Sequence, residues 1–275
     1  MELSLVGIGT GNPEHLTLQA IRALKAADLI IVPRKSGKDD LAELRLSICA
    51  ELAPNVALRE FDLPSRDPAE PDYAKRVNDW HDAIAEVWAE TIGDAERVAL
   101  LVWGDPSLYD STLRIAARLT PAPKLTVVPG ITSIQALTAA HAIPLNEINA
   151  PVVITTGRQI RDAGWPSGAE TIVVMLDGEC SFQHLPAEGI EIWWAAFAGM
   201  PQQITLHGPL AEIGQTIIDT RAKAPGIGPG IRAGSCPLRT GRAQAGNSHS
   251  PLPSTARSPT RRRGARAGSA AKRPP

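Results

Sequence analysis

A chain of 275 residues, 43% hydrophobic and 21% charged, can bury cores for one large or two medium domains. No apolar run approaches the roughly 18 residues of a membrane span and no basic-then-apolar leader opens the chain. Cys49, Cys180 and Cys236 are too far apart to frame a metal site or a disulfide set, so a reducing, cytoplasmic setting is expected and no metal is assigned. The net charge of −1 conceals an asymmetry: the first 224 residues hold 18 basic against 29 acidic side chains, net −11, and the remainder holds ten basic and no acidic ones. An acidic folded part argues against nucleic acid, whose phosphates call for positive charge.

Residues 3–32, LSLVGIGTGNPEHLTLQAIRALKAADLIIV, read as strand, glycine loop, helix and second strand. Gly7, Gly9 and Gly11 follow an apolar run, at the strand end where open α/β sheets bind ligands. Thr17 suits an N-cap, with Leu18, Ile21 and Leu24 as the apolar stripe of the helix. The spacing is not the G-x-G-x-x-G of a dinucleotide turn. Pro13 keeps Asn12 extended and delays the helix to about Thr17, and Asp28 precedes a strand where the dinucleotide motif needs an acid after one.

Residues 39–52 read as a helix with Leu41, Leu44, Ile48 and Leu52 on one face. The Pro- and Asp-rich run FDLPSRDPAEPD leads into a longer helix whose stripe is Tyr73, Val77, Trp80, Ile84 and Trp88. His81 and Asp82 lie beside that stripe and are expected in solvent. A strand at 98–103 precedes Gly104-Asp105-Pro106-Ser107-Leu108-Tyr109, and a strand at 125–128 precedes Pro129-Gly130-Ile131-Thr132-Ser133 and a helix ending by His141. Three strand–loop–helix units with right-handed crossovers should bring their glycine loops to one sheet edge and form a shared pocket. Short strands then dominate, at 151–155, 171–175, 191–196 and 203–206. The chain therefore divides into an α/β domain at 1–146 and a strand-richer α/β domain at 151–224. Residues 225–275 are Pro-, Gly- and Arg-rich, without acids or aromatics. Such a stretch cannot offset its chain entropy by burial, so it is expected to be disordered and dispensable for stability.

Three stretches, LVGIGTGNPEHLTLQA, LVWGDPSLYDST and VVPGITSIQALTAAHAIPL, together resemble the tetrapyrrole (corrin and porphyrin) methyltransferase family, and TIVVMLDG and FAGMPQQITLHGPLAEI extend the resemblance to about residue 222. It implies an N-terminal, mostly parallel α/β sheet, a C-terminal mixed α/β sheet, and an active site in the cleft between them. It also implies a homodimer, with S-adenosyl-L-methionine as cofactor and a tetrapyrrole as substrate. By the same resemblance, Gly104, Asp105 and Pro106 border the methionine part of the cofactor, with Thr132 and Ser133 beside it. Met175, Ala198, Gly208, Pro209 and Leu210 line its adenosine side, while Gly9, Gly11, Asn12 and Pro13 face the substrate. Within the family, the insert around DLAELRLSICAEL and the phrase VMLDGECSF look like the members that methylate a precorrin (precorrin-5, at C-1) and release its acetyl group as acetate. Where relatives continue into a final apolar strand, this chain turns into the basic tail, so the last strand of the second sheet is expected to be absent and a sheet edge exposed.

A sulfonium is already an activated methyl donor, so alignment of the reactants can supply most of the catalysis, about 7–11 kcal/mol. Loss of the acetyl group also involves water and proton transfers, for which Asp105, Tyr109 and His81 are candidates, Asp105 as a positioning residue. Arg34, Lys35, Arg66 and Arg158 are candidate cations for the substrate carboxylates. The competing readings are a family methyltransferase with another substrate such as uroporphyrinogen, a nicotinamide-dependent oxidoreductase, and a non-catalytic paralogue.

Overall fold

The computed structural model describes residues 1–35, 39–224 and 238–242. Five parallel strands, β1 (Glu2–Gly7), β2 (Leu29–Arg34), β3 (Ala57–Asp62), β4 (Arg97–Val102) and β5 (Lys124–Val128), form a sheet in the order β3-β2-β4-β1-β5. Successive side chains on a strand point to opposite faces, and here both faces are buried. Leu3, Leu5, Leu29, Ile31, Leu100 and Val102 meet α3 (Tyr73–Ile92) and α4 (Thr112–Ala116) on one face. Val6, Ile30, Val32, Ala99 and Leu101 meet α1 (Leu18–Ala26) and α2 (Asp39–Leu52) on the other. Both faces of the central strands are apolar, which is why these segments read as continuous apolar runs in the sequence.

The connection after β1 runs along one face to β2, and the connection after β4 runs along the other to β5. Neighbouring strands whose connections depart in opposite directions leave a crevice at their carboxyl ends. The three glycine loops lie there, as their spacing predicts.

Local details depart from the sequence reading in three places. Thr17 does cap α1, accepting from Ala20 N at 3.0 Å, and Leu24 is buried as expected, but Leu18 is 73% exposed and Ala20 is buried in its place. β3 escapes hydrophobic patterning because only Phe61 of its six residues is buried. His81 is 2% exposed rather than solvated, and neither ring nitrogen has a hydrogen-bond partner among the described residues.

The second sheet is mixed, in the order β6-β7-β10-β8-β9, from β6 (Val152–Thr156), β7 (Thr171–Met175), β8 (Ile190–Ala196), β9 (Ile204–Pro209) and β10 (Leu238–Arg242). One face packs Ile172, Val174, Ile192 and Trp194 against α6 (Gly157–Ala163) and α7 (Leu210–Lys223). The other receives α5 (Ser133–His141): Ala136 and Leu137 pack with Ala195 and Ala198, and Ile134 with Val173 and Met175. α5 belongs by sequence to the segment before residue 146, so the packing does not divide where the composition does.

β10 corrects the expectation for the tail. It lies inside the sheet, antiparallel to β7 and β8, with Thr240 opposite both Ile172 and Ile192. A strand in an interior slot is held from both sides by backbone hydrogen bonds, which a count of its apolar side chains does not register. The rest of the tail expectation falls outside the described residues. No described helix is long and apolar enough to cross a membrane.

Candidate active site

The three glycine loops are bound into one unit by their own backbones. Gly104 N donates to Gly9 O at 2.7 Å and Gly9 N to Gly104 O at 3.3 Å, so the first and second loops form an antiparallel bridge. Both residues have positive φ, +72° at Gly9 and +68° at Gly104, which side chains other than glycine rarely tolerate. The third loop joins through Asp105, whose Oδ2 accepts from Gly130 N at 2.9 Å and whose Oδ1 accepts from Ser107 N at 2.8 Å. The fit leaves no room for side chains: a Cβ on Gly7 would lie 2.6 Å from Gly130 N, and one on Gly130 would lie 2.0 Å from Gly104 O.

Burial works against the Asp105 carboxylate, but the hydrogen bonds from Ser107 Oγ, Gly130 N and Ser107 N outweigh it and hold its pKa below the ordinary value. Asp105 is thus an ionised pin for two loops, with both oxygens engaged, which suits a positioning role. Tyr109 leaves the second loop at φ +50°, and its hydroxyl donates to Ile154 O of β6 at 3.3 Å. Burial raises its pKa.

These loops bound a cavity of about 230 Å³. Gly104, Asp105, Tyr109, Thr132, Ser133 and Met175 line it, which brings together six of the residues predicted from sequence. Thr132 caps α5 in a capping box with Gln135. The other predicted residues do not line this cavity. Pro106 is buried within the second loop. Ala198 packs on Ala136 and Leu137. Gly208 pairs with Ile192 in β9, Pro209 caps α7, and Leu210 enters the second core.

The first loop acts largely as a joint. A Cβ on Gly11 would lie 2.8 Å from both Leu44 and Trp103, Asn12 Nδ2 donates to Gly199 O at 2.8 Å, and Pro13 starts a short 3-10 turn. Its neighbour Thr10 is the member of this loop that reaches the cavity.

The remaining wall includes residues that the sequence reading passed over. Leu41 and Arg45, one turn apart on α2, face the cavity with Trp103 and Asp110. Arg45 Nε donates to Leu101 O at 3.2 Å and Nη1 to Leu41 O at 3.0 Å, and its guanidinium lies 6.0 Å from the Trp103 ring. Burial pushes its pKa down to about 10, opposed chiefly by the Asp110 charge. The signal was an arginine set among Leu41, Leu44 and Ile48.

The four cations proposed from sequence do not line the cavity. Arg34 pairs with Glu60, Arg66 stacks on Trp80 at 4.2 Å, Arg158 stacks on Tyr73 at 4.7 Å, and Lys35 is exposed. His81 sits under Trp80 in α3 and is likewise absent from the cavity wall. Among the described residues no group of His, Cys, Asp and Glu is placed to hold a metal.

The chemistry of the wall fits a folded zwitterion carrying an apolar group. Asp105 and Asp110 can face a sulfonium or ammonium, Arg45 a carboxylate, and Leu41, Leu108, Trp103 and Met175 an aromatic or aliphatic part. A Cβ on Gly104 would meet no protein atom within 4 Å, so the cavity comes right up to that backbone.

Known proteins resemble this chain in sequence and fold. Residues 2–214 match the model of the tetrapyrrole (corrin/porphyrin) methylases. The deacetylating precorrin-6A synthase of a Sinorhizobium species is 43% identical over 234 residues, 81% of this chain and 89% of that protein. The precorrin-2 C(20)-methyltransferase of a Sinorhizobium species is 31% identical over 120 residues, 42% of this chain and 48% of that one. Among solved structures, a cobalamin-synthesis-related protein (CobF) of Corynebacterium diphtheriae superposes with a TM-score of 0.71 at 35% identity, covering 88% of this chain and 98% of its own. A uroporphyrin-III C-methyltransferase of Thermus thermophilus, solved with S-adenosylhomocysteine, shares the fold at a TM-score of 0.54 and 19% identity, over 87% of this chain and 96% of its own. This chain belongs to the tetrapyrrole (corrin/porphyrin) methylase family.

Proposed function

We propose that this chain is a precorrin-6A synthase of the deacetylating kind, which methylates precorrin-5 at C-1 and releases its acetyl group as acetate. The observation that carries the proposal is the 43% identity to such an enzyme over 81% of this chain and 89% of that enzyme's length. The cavity supports methyl transfer of this type, because it offers orientation and matched charge in place of a nucleophilic side chain.

S-adenosylmethionine, when bound, supplies an activated methyl group on a sulfonium. Gly104 and Asp105 would hold it from the second loop, Thr132 and Ser133 from the third, and Met175 from β7. The backbone bridge between Gly9 and Gly104 and the Asp105 pin keep those groups fixed before any ligand arrives, so little order is lost on binding. Tyr109, reaching from the second loop to β6, closes one side of the cavity and helps keep water from the transferring methyl. Placing the acceptor carbon in line with methyl and sulfur is what such a rigid frame contributes to the rate.

The proposal includes a cytoplasmic homodimer. Edge strand β5 leaves Leu125 and Val127 each 39% exposed, an apolar surface that a second copy can cover.

The test is to incubate the full chain with S-adenosylmethionine and, separately, precorrin-5, precorrin-2 and uroporphyrinogen III. S-adenosylhomocysteine and acetate should form in equal amounts with precorrin-5 alone. Methyl transfer to precorrin-2 or uroporphyrinogen III without acetate would overturn the substrate assignment and leave the methyltransferase assignment standing.

A further inference from the structure

Release of the acetyl group needs something that methyl transfer does not, namely a group that can take a proton from water. The cavity narrows the choice. Both oxygens of Asp105 are occupied in binding loops together. The Tyr109 hydroxyl is turned to the backbone of β6. His81 lies outside the cavity, sealed in α3.

Asp110 differs from all three. It lines the cavity, and its Oδ1 is held by Thr112 N at 2.7 Å and by the Thr112 hydroxyl, which fixes the carboxyl plane. Its Oδ2 has no donor among the described residues. Arg45 on α2 also faces the cavity and acts on this carboxylate without forming an ion pair with it. An oriented carboxylate with one oxygen unpartnered among the described residues, in a cavity that also holds a guanidinium, is the arrangement a general base requires.

We propose that Asp110 is the general base for the hydrolytic release of acetate, an assignment that rests on the precorrin-5 reading. Asp110 Oδ2 takes a proton from water as the water oxygen bonds to the acetyl carbonyl carbon. The bond from that carbon to the macrocycle then breaks, and its electron pair passes into the conjugated ring system. The ring recovers the proton from Asp110, and the acetyl group leaves as acetate with release of a proton. One water is consumed, no oxidant or reductant is needed, and the carboxylate is regenerated. Arg45, positively charged on the same cavity wall, can face the oxyanion that forms on the acetyl carbonyl. Burial, opposed by the Thr112 hydrogen bonds and by Arg45 and Arg114, raises the Asp110 pKa, which makes its carboxylate a stronger base.

The experiment measures S-adenosylhomocysteine and acetate separately, in the full chain with S-adenosylmethionine and precorrin-5. Asp110→Asn keeps the Oδ1 acceptor for Thr112, so the loop should hold its shape and the melting temperature should match that of the parent. Acetate formed per S-adenosylhomocysteine should fall by about 10²-fold or more. In Asp110→Ala, added formate should restore acetate release, since a free carboxylate can enter the vacated space. Acetate keeping pace with S-adenosylhomocysteine in Asp110→Asn, or no rescue by formate in a folded Asp110→Ala, would overturn the assignment alone. A parent protein that makes neither product from precorrin-5 would overturn the substrate reading and this assignment with it.

Discussion

The first sheet draws all five strands from residues 2–128, every neighbouring pair parallel. The second draws four from residues 152–209 and its fifth from residues 238–242, antiparallel to both of its neighbours. In the first, the central strands β1, β2 and β4 are buried by helices close to them in sequence, and the glycine loops collect at one edge as a consequence of the crossovers. In the second, β7 and β8 are separated by a strand that lies more than forty residues further along the chain than β8. A parallel sheet with regular crossovers can be recognised from local patterns. An interior strand supplied from a distance cannot, because its place is set by the backbone groups that await it.

Removing that strand is the strongest way to test the contrast. Truncation after Lys223 would leave the facing edges of β7 and β8, most of whose residues are buried, without backbone partners. Each buried unpaired group costs about 1–3 kcal/mol, so several exceed the margin of a typical domain. The melting temperature should fall by roughly 10 °C or more. Thr240→Pro, which keeps length and charge, should act in the same direction. Unchanged melting of the truncated chain would remove β10 from the folded core.

The glycine loops come next and separate packing from binding. Gly130→Ala should destabilise by about 1–3 kcal/mol, because the new methyl would lie against Gly104 O with only backbone around it to give way. Gly104→Arg meets open space instead, so it should fold, with about 1–2 kcal/mol lost to its left-handed backbone. Its affinity for S-adenosylhomocysteine should nevertheless fall by roughly tenfold or more, because the side chain fills the cavity. Calorimetric titration beside a melting curve for each variant tests the separation. Equal binding by Gly104→Arg and the parent would refute the cofactor placement.

Asn12→Ala loosens the link between the two sheets at one point. Loss of the hydrogen bond to Gly199 O should cost about 1 kcal/mol, a fall of about 2–4 °C in melting temperature. No change would mean that the first loop is held by packing around Gly11 alone.

The smallest effect lies in the core of the first sheet. Burial, and then the charges of Arg118, Arg66 and Arg114, hold the His81 pKa below its ordinary value of 6.5, with Asp82 acting the other way. A depressed folded-state pKa means that the unfolded chain takes up the proton first as pH falls. The stability from neutral His81 is therefore fully present above pH 6.5 and is lost as pH falls through the lower, folded value. His141 shifts in the same direction, also first through burial. Melting temperatures from pH 7 to pH 5 should fall less steeply in His81→Leu than in the parent. An identical slope would show that His81 does not titrate differently in the two states.

Much of the first half was legible in the sequence because the periodic signals and the loop chemistry are local. Apolar runs at β1, β2 and β4, the Thr17 cap, and glycines directly after strands each follow from a few adjacent residues, and right-handed crossovers turn them into loops meeting at one edge. Strand β3 was hidden because it buries one side chain, and Leu18 misled because the first turn of a helix can hold an apolar residue in solvent. At the site, Gly104, Asp105, Thr132 and Ser133 could be expected at the cavity wall from motifs, since loops at strand ends meet at one edge of the sheet. Arg45 and Asp110 could not. Arg45 reaches the cavity because α2, packed on one face of the sheet, brings it to Leu101 O near the carboxyl end of β4, and Asp110 has its one hydrogen-bonded oxygen among the described residues turned to Thr112. His81 reversed its expected environment for the same reason: one position off a helical stripe is solvent or core according to what packs over it. The sequence alone determined the strand–loop–helix order and the family, which depend on contacts between near neighbours. The tertiary structure alone decided the slot for β10, the packing of α5 on the second sheet and the charged wall of the cavity, because each depends on groups brought together from distant parts of the chain.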